Sequence, residues 1–481
     1  MSYRISLLGS QEMILKEWFS THPEGHERAA IVLFRRLARP VKELPESDRF
    51  IAIDIIKMTD DWILESSIKH VKFNMRKLPE IYFRCEQEGL ELGFIHNHPK
   101  GYSDFSTQDD INEKNILHGL SGCNGRQSFL VSMILVENKW LARIRQGVNF
   151  DTIISVRHIS ILSNNLKIYG IALEEEVSEA LLRQEAAFGK PFNLMLNSLR
   201  VAVVGVGGTG SPLATLLVRA GVGEMILIDG DKLEETNLNR VRGYTKDDVD
   251  KNKAESLCKY IKGLGLKVKI IAFDSHLENA ATLDALSSAD VVFGCTDDQD
   301  GRDLMNQALY YYAQVFIDCG LTGRIDKDED GLPYLRDHRG RVSCILPEYG
   351  SCLRCQRVIT DQWLKFEQEI KRRPELKELN AETLAREFYL TGGGEPAPGV
   401  GPFTSATADN AVATLMHLIK PFRVLPDDLR QDNIWIDFVN LVIHSNEPND
   451  DINCIYCRER KLLLKRETKY RLDMPRFGKI N

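Results

Sequence analysis

The chain has 481 residues, of which 43% are hydrophobic and 27% charged, and its formal net charge is −7. That length calls for two to three separately cored domains, and a mild acidic excess argues against a nucleic-acid polyanion as the main ligand. No apolar run reaches the roughly 18 residues that span a bilayer, and the amino-terminal stretch has no signal-peptide core, so a cytoplasmic protein away from membranes is expected. Ten cysteines invite a disulfide framework, but four of them form two Cys-x-x-Cys pairs and the rest are scattered as reduced thiols would be.

In chain order, residues 29–34, 50–56, 91–95 and 129–136 read as strands, and 10–19 and 106–118 as helices. This α+β pattern fills a first domain, 1–155. Residues 156–180 read as a connector running into the amphipathic segment EEEVSEALLRQEAAF. From residue 201 the pattern changes. The apolar runs VAVVG, MILIDG, KVKIIAF, VVFG and QVFIDCG alternate with helical segments, as in a parallel sheet covered on both faces. The fold class is therefore α/β, with a Rossmann-like domain over 181–475. The charged stretch 356–400 reads as helical before a loop, TGGGEPAPGVGP, and TADNAVATLMHLI as a final helix. The short strands NIWIDF and LVIHS then lead to the last cysteine pair.

The turn Gly205-Val206-Gly207-Gly208-Thr209-Gly210 joins a buried strand to a helix. Glycines let the backbone approach phosphate closely, and the helix N-terminus adds positive potential. Asp229, ending the next strand, is placed to hold ribose hydroxyls. A nicotinamide dehydrogenase would fit these residues equally well. Asn239, Arg240, Lys253 and Asp297 separate the two, because two cations and a strand-terminal carboxylate suit a triphosphate with Mg²⁺. The alternative is that Arg240 and Lys253 are surface charges and Asp297 a helix cap.

With these motifs, the segment from about Arg183 to Cys457 resembles the ThiF/MoeB/HesA adenylyltransferases, whose fold is shared by ubiquitin-activating enzymes. The resemblance implies ATP and Mg²⁺ as cofactors, with nucleotide-binding positions at Gly208, Asp229, Asn239, Arg240, Lys253 and Asp297. It also implies that Arg183 reaches the ATP of a partner subunit in a homodimer. Arg302 and Asn306 match a family Arg-x-x-x-Asn pattern. Asp298 departs from the Asn common in relatives. The implied reaction is attack of a carboxylate on the α-phosphate, releasing pyrophosphate, with Arg240 and Lys253 on phosphates and Asp297 on Mg²⁺.

Cys352-x-x-Cys355 and Cys454-x-x-Cys457 each have the bite of half a tetrahedral zinc site. A closed set of four thiolates makes this zinc structural. Many ubiquitin-activating relatives carry a nucleophilic cysteine after the first pair, but none lies here between Cys355 and Cys454. The activated acyl group is therefore expected to pass to an external thiol or sulfur donor, with Cys319 and Cys344 read as core thiols.

Near the amino terminus, His96 and His98 lie at i and i+2 of a strand and face one side. Asp109 follows as a third ligand, an open catalytic zinc arrangement. His-x-His, seven residues, then Ser106-x-x-Asp109 resembles the JAMM/MPN-plus metallopeptidases. That resemblance implies Ser106 as oxyanion stabiliser and Glu27, or else Glu24, as general base. Ser106-x-x-Asp109 also reads as a helix capping box. Together the motifs imply a bifunctional enzyme that activates the terminal Gly of a ubiquitin-like protein and trims or deconjugates it, handing the tail to a conjugating enzyme. The alternatives are activation of a sulfur-carrier protein and a non-catalytic ATP-binding scaffold.

Overall fold

The computed structural model describes residues 3–37, 41, 44, 48–68, 70–99, 103–171, 178–373, 375–376, 399–426, 429–448, 453–461 and 463–464. They fall into two compact units divided at residues 176 and 177. Among the described residues no helix is long and apolar enough to cross a membrane.

The first unit runs β1 (Tyr3–Leu8), α1 (Gly9–Ser20), β2 (Ala29–Leu37), β3 (Arg49–Lys57), β4 (Ile63–Ser66), β5 (Val71–Phe73), α2 (Leu78–Glu88) and β6 (Glu91–His98). It continues with α3 (Thr107–Asn124), β7 (Phe129–Val136), β8 (Lys139–Gln146), β9 (Asn149–Leu162) and β10 (Leu166–Tyr169). The large sheet has the order β1-β3-β2-β6-β7-β8-β9-β10, and β1 also pairs with β9, so the run from β1 to β9 closes into a ring. Alternation along the strands splits the apolar residues between two cores. Ile5, Phe34, Phe50, Trp140 and Ile159 pack with Leu15 and Phe19 of α1. Ile31, Leu33 and Phe94 pack with Tyr82 of α2 and Leu117 of α3. Sheet structure therefore continues past residue 155, through β9 and β10, into the stretch read as a connector.

The second unit opens with α4 (Leu182–Phe188), α5 (Lys190–Ser198), β11 (Arg200–Val204), α6 (Gly210–Arg219), β12 (Glu224–Ile228), α7 (Lys253–Gly263), β13 (Lys269–Phe273) and α8 (Ala280–Ser287). Then come β14 (Val291–Gly294), α9 (Gln299–Tyr311), β15 (Val315–Lys327), β16 (Pro333–Ile345), α10 (Asp361–Arg372), α11 (Gly401–Ile419), β17 (Ile434–Asp437) and β18 (Val442–Ser445). The sheet order is β13-β12-β11-β14-β15-β16-β17-β18. β13 to β15 are parallel and β16 to β18 antiparallel. The Rossmann-like half thus carries an antiparallel wing. Gly401 and Pro402, read as loop, open α11, where Pro suits the first helical turn. Residues 391–398 of the expected loop, and the chain from 465 to the expected domain end at 475, lie outside the described residues.

Candidate functional site

The glycine turn connects β11 to α6 at the carboxyl end of the parallel strands, where open α/β sheets bind ligands. Gly205 has φ +81°, a left-handed conformation that disfavours any side chain, and a Cβ there would lie 2.8 Å from the Cys295 carbonyl oxygen. A Cβ on Gly210 would collide with the Gly205 carbonyl oxygen. Gly207 is different: a Cβ there meets nothing within 4 Å, which leaves space above the turn.

Asp229 braces this turn. One carboxylate oxygen accepts from Val206 N at 2.8 Å and the other from Asp231 N at 2.9 Å. Burial pushes its carboxyl up, and those two bonds oppose the shift. Tyr244, passed over in the sequence, donates to the carbonyl oxygens of Val206 and Lys253 and so joins the turn to α7. Lys253 Nζ sits 3.1 Å from Asp231 Oδ2. Arg240 donates to Thr236 O and Asn239 Oδ1, and its side chain runs between Gly208 and Gly399, either of which would crowd it with a Cβ. Asn239 Nδ2 donates to Gly399 O at 3.4 Å, so the start of α11 is tied to the Asn239-Arg240 pair.

Asp297 follows β14 and is exposed, with no side-chain partner among the described residues. The helix-cap role falls instead on Asp298, which accepts from Gly301 N at 2.6 Å and from the Thr296 hydroxyl. The extra acid thus has a structural use at the start of α9. Arg302 donates to the Asp297 carbonyl, and the Asn306 side chain accepts from Leu353 N at 3.0 Å. Arg183 is exposed on α4, while its neighbour Gln184 is fastened to Asn193 and to Ala220 O at the carboxyl end of α6.

The two cysteine pairs meet. Cys352 Sγ lies 3.6 Å from Cys454 Sγ and Cys355 Sγ 3.5 Å from Cys457 Sγ, with all four buried and mutually within 4.8 Å. Tetrahedral zinc–sulfur bonds give sulfur–sulfur edges of about 3.8 Å, so the donor set fits zinc. Cys319 and Cys344 are buried strand residues, and burial pushes the Cys344 thiol well above its ordinary range.

In the first unit, β6 lies between β2 and β7 and carries His96 and His98 at its carboxyl end. Their Nε2 atoms lie 3.1 Å apart, and they face Asp109 at 3.0 and 3.4 Å. All three side chains are buried and their donor atoms lie within 4.8 Å, close enough to share a metal ion. Ser106 caps α3: its hydroxyl donates to Asp109 Oδ2 at 2.8 Å and accepts from Asp109 N at 3.2 Å. The cap thus fixes the carboxylate that faces the two histidines. Burial of Asp109 works against its charge, but hydrogen bonds from His96 and His98 dominate and hold it well below the usual carboxylate range.

Glu27 is buried, whereas Glu24 is exposed and 3.4 Å from His26. Burial pushes the Glu27 carboxyl up to about 8, with His98 pulling it down and Asp109 pushing it up. The following residue, Arg28, donates its N–H to Asn97 Oδ1 at 2.8 Å, so the Glu27 segment is anchored between the two histidines.

A family model described as ThiF family matches residues 181–442, more than half of the chain. The chain belongs to the ThiF family. It is 31% identical over 198 residues to the adenylyltransferase and sulfurtransferase UBA4 of Meyerozyma guilliermondii, covering 40% of this chain and 43% of that protein. It is 31% identical over 160 residues to the SAMP-activating enzyme E1 of Haloferax volcanii, covering 33% and 54%. It is 35% identical over 124 residues to the sulfur carrier protein ThiS adenylyltransferase of Escherichia coli, covering 26% and 49%. The ThiF chain therefore spans about half, or less, of these relatives. Escherichia coli MccB, solved with ATP, aligns with 58% of this chain and 75% of its own at 20% identity and a TM-score of 0.43.

Proposed function

We propose that the second unit uses Mg–ATP to adenylate the C-terminal carboxylate of a small ubiquitin-like protein, and that the first unit is a zinc metallopeptidase acting on proteins of the same class. The ThiF match carries the adenylation reading, because it falls on the unit whose glycine turn, Arg240, Lys253 and Asp297 share the carboxyl ends of the parallel strands. Arg240 and Lys253 offset phosphate charge, and the exposed Asp297 is the acid free to hold Mg²⁺. Asp229 keeps the turn open to phosphate and presents its remaining lone pairs to ribose.

Arg183 serves a partner subunit. Its helix is tied to the carboxyl end of α6, while the phosphate turn lies at the other end of that helix, about 15 Å away by the rise of ten residues. An arginine side chain does not cover that distance. The donor sets of the two metal sites support a structural zinc at the four cysteines and a catalytic one at His96, His98 and Asp109. Bound there, zinc would polarise a carbonyl and acidify a water. Glu27 would take a proton from the attacking water, and the Ser106 hydroxyl would turn from Asp109 to donate to the developing oxyanion.

The peptidase favours a conjugation cycle, in which a conjugating enzyme accepts the tail and the first unit later removes it. The relatives' names favour a second reading, activation of a sulfur carrier. The missing cysteine between Cys355 and Cys454 suits transfer to an external thiol in either case. ATP–pyrophosphate exchange, run with a ubiquitin-like protein ending in Gly, tests the adenylation. Wild type exchanges, and Asp297→Ala is expected to lose roughly a hundredfold or more in rate. Undiminished exchange in that variant refutes the metal assignment, and none in the wild type refutes the activity.

A further inference from the structure

Along the sheet, the adenylation residues occupy consecutive strand ends: Asp229 after β12, the glycine turn after β11, Asp297 after β14. On the proposed reading these positions serve ribose, phosphates and magnesium in that order. Beyond Asp297 the sheet continues with β15 and β16, whose residues these roles leave open to the acyl substrate. A buried charge cluster lies there that the nucleotide assignments leave unused. Asp318 of β15 is fully buried and accepts a hydrogen bond from Arg341 Nη2 of β16. Its other oxygen lies 3.5 Å from Arg302 Nε. Two guanidiniums on one carboxylate leave a net charge of about +1 in a low-dielectric setting, which favours an incoming anion.

The packing reserves room for this cluster. A Cβ on Gly320 would lie 2.8 Å from Arg341 Nη2 and 3.5 Å from Arg302 Nη2. A Cβ on Gly294, which pairs with Asp318, would lie 2.7 Å from Asp318 Oδ1. Arg302 also donates to the carbonyl of Asp297 at 3.3 Å, and so connects the cluster to the acid assigned to magnesium. Arg302 Nε and Asp318 Oδ1 are both buried without a hydrogen-bond partner among the described residues. Arg341 is fixed on its far side by Ser343, at 2.6 Å, and Ser343 by Gln356 beside Cys355, also at 2.6 Å.

We infer that Arg302 receives the terminal carboxylate of the acyl substrate and aligns it with the α-phosphate, with Asp318 and Arg341 as positioning residues that hold the guanidinium in place. The role extends the adenylation reading and rests on it. Arginine suits it because its planar fork grips a carboxylate through two parallel hydrogen bonds, offsetting the repulsion between two anions that must meet.

The test uses the full chain and a synthetic peptide ending in Gly-Gly, with the amidated peptide as control. Mg–ATP affinity is measured without peptide, and pyrophosphate exchange is followed against peptide concentration. Arg302→Ala is expected to raise the peptide KM roughly tenfold or more while Mg–ATP affinity stays within about twofold. Arg302→Lys restores part of the loss, because it keeps the charge without the fork. Asp318→Asn raises KM less and also lowers kcat. Its unchanged Mg–ATP affinity shows that it is folded. A loss of Mg–ATP affinity in Arg302→Ala at constant peptide KM would assign Arg302 to the phosphates and overturn the inference. Unchanged constants in both Arg302 variants would overturn it too. Wild type that binds Mg–ATP but never exchanges with the free-acid peptide would instead remove the adenylation reading itself.

Discussion

Two glycines of the phosphate turn make different demands. Gly210 is required by the protein, since its Cβ would strike the Gly205 carbonyl, whereas Gly207 faces open space. Gly210→Ala should therefore cost both stability, about 2 kcal/mol, and nucleotide binding. Gly207→Ala should leave the unfolding midpoint nearly unchanged and still weaken Mg–ATP, because its methyl enters the space assigned to phosphate. Calorimetric unfolding beside nucleotide titration separates the two.

Glu27 carries a pH signature. Its carboxyl is pushed up to about 8 by burial, and a base must be deprotonated, so peptidase activity should rise with pH along an acid limb. A divalent cation nearby draws the carboxyl down, which places the midpoint of that limb at or below about pH 8. Cleavage of a C-terminally extended ubiquitin-like protein, followed from pH 5 to 9, should show the limb in wild type and Glu27→Asp. Glu27→Gln should retain zinc and leave only a flat residual rate.

Among the elements, α9 does more than its sequence advertised. Its start is capped by Asp298, its Arg302 bonds the Asp297 carbonyl, and its Asn306 accepts from Leu353 N inside the first cysteine pair. Asn306→Ala leaves that buried N–H without its acceptor, at a cost of about 1–3 kcal/mol. Zinc should then pass from the four cysteines to a colorimetric chelator several times faster than in wild type, with Mg–ATP binding little changed.

What was legible followed the same physics. The parallel strands read correctly because burial on both faces makes them apolar throughout, as in VAVVG and VVFG. The His-x-His, Ser-x-x-Asp and paired cysteine motifs were visible because their residues sit at fixed spacings, and the structure brings each set together. β8 was not visible. Arg143 and Arg145 interrupt its apolar pattern, yet both turn toward α3 and pair with the fully buried Glu113 and with Asp110. Partners distant in sequence made those charges compatible with burial. β9 was hidden because its first half, Asn149 to Arg157, mixes polar residues with Phe150, Ile153, Ile154 and Val156 and shows no regular alternation. Asp298 could have been identified as the cap, since Asp three residues ahead of a glycine N–H is ordinary N-cap chemistry.

For the molecule as a whole, the placement of Arg183 predicts that each adenylation site is completed by a second copy of the chain. Arg183→Ala and Asp297→Ala should each be inactive in pyrophosphate exchange. Mixed after reversible dissociation, they should regain up to about a quarter of wild-type activity, because half of the chains form mixed dimers and each of these has one intact site. Activity that never returns on mixing would place Arg183 in its own subunit's site or outside catalysis. The closed strand ring bears on how the protein is made. β1 lies between β3 and β9, so a strand made before both of its neighbours awaits one that ends at Leu162. Until then one flank of β1 offers unpaired backbone groups to any other extended chain. Synthesis of this protein thus includes an interval of exposure to misassociation, and shortening it, by slower initiation or chaperone cover, should raise the yield of correctly closed molecules.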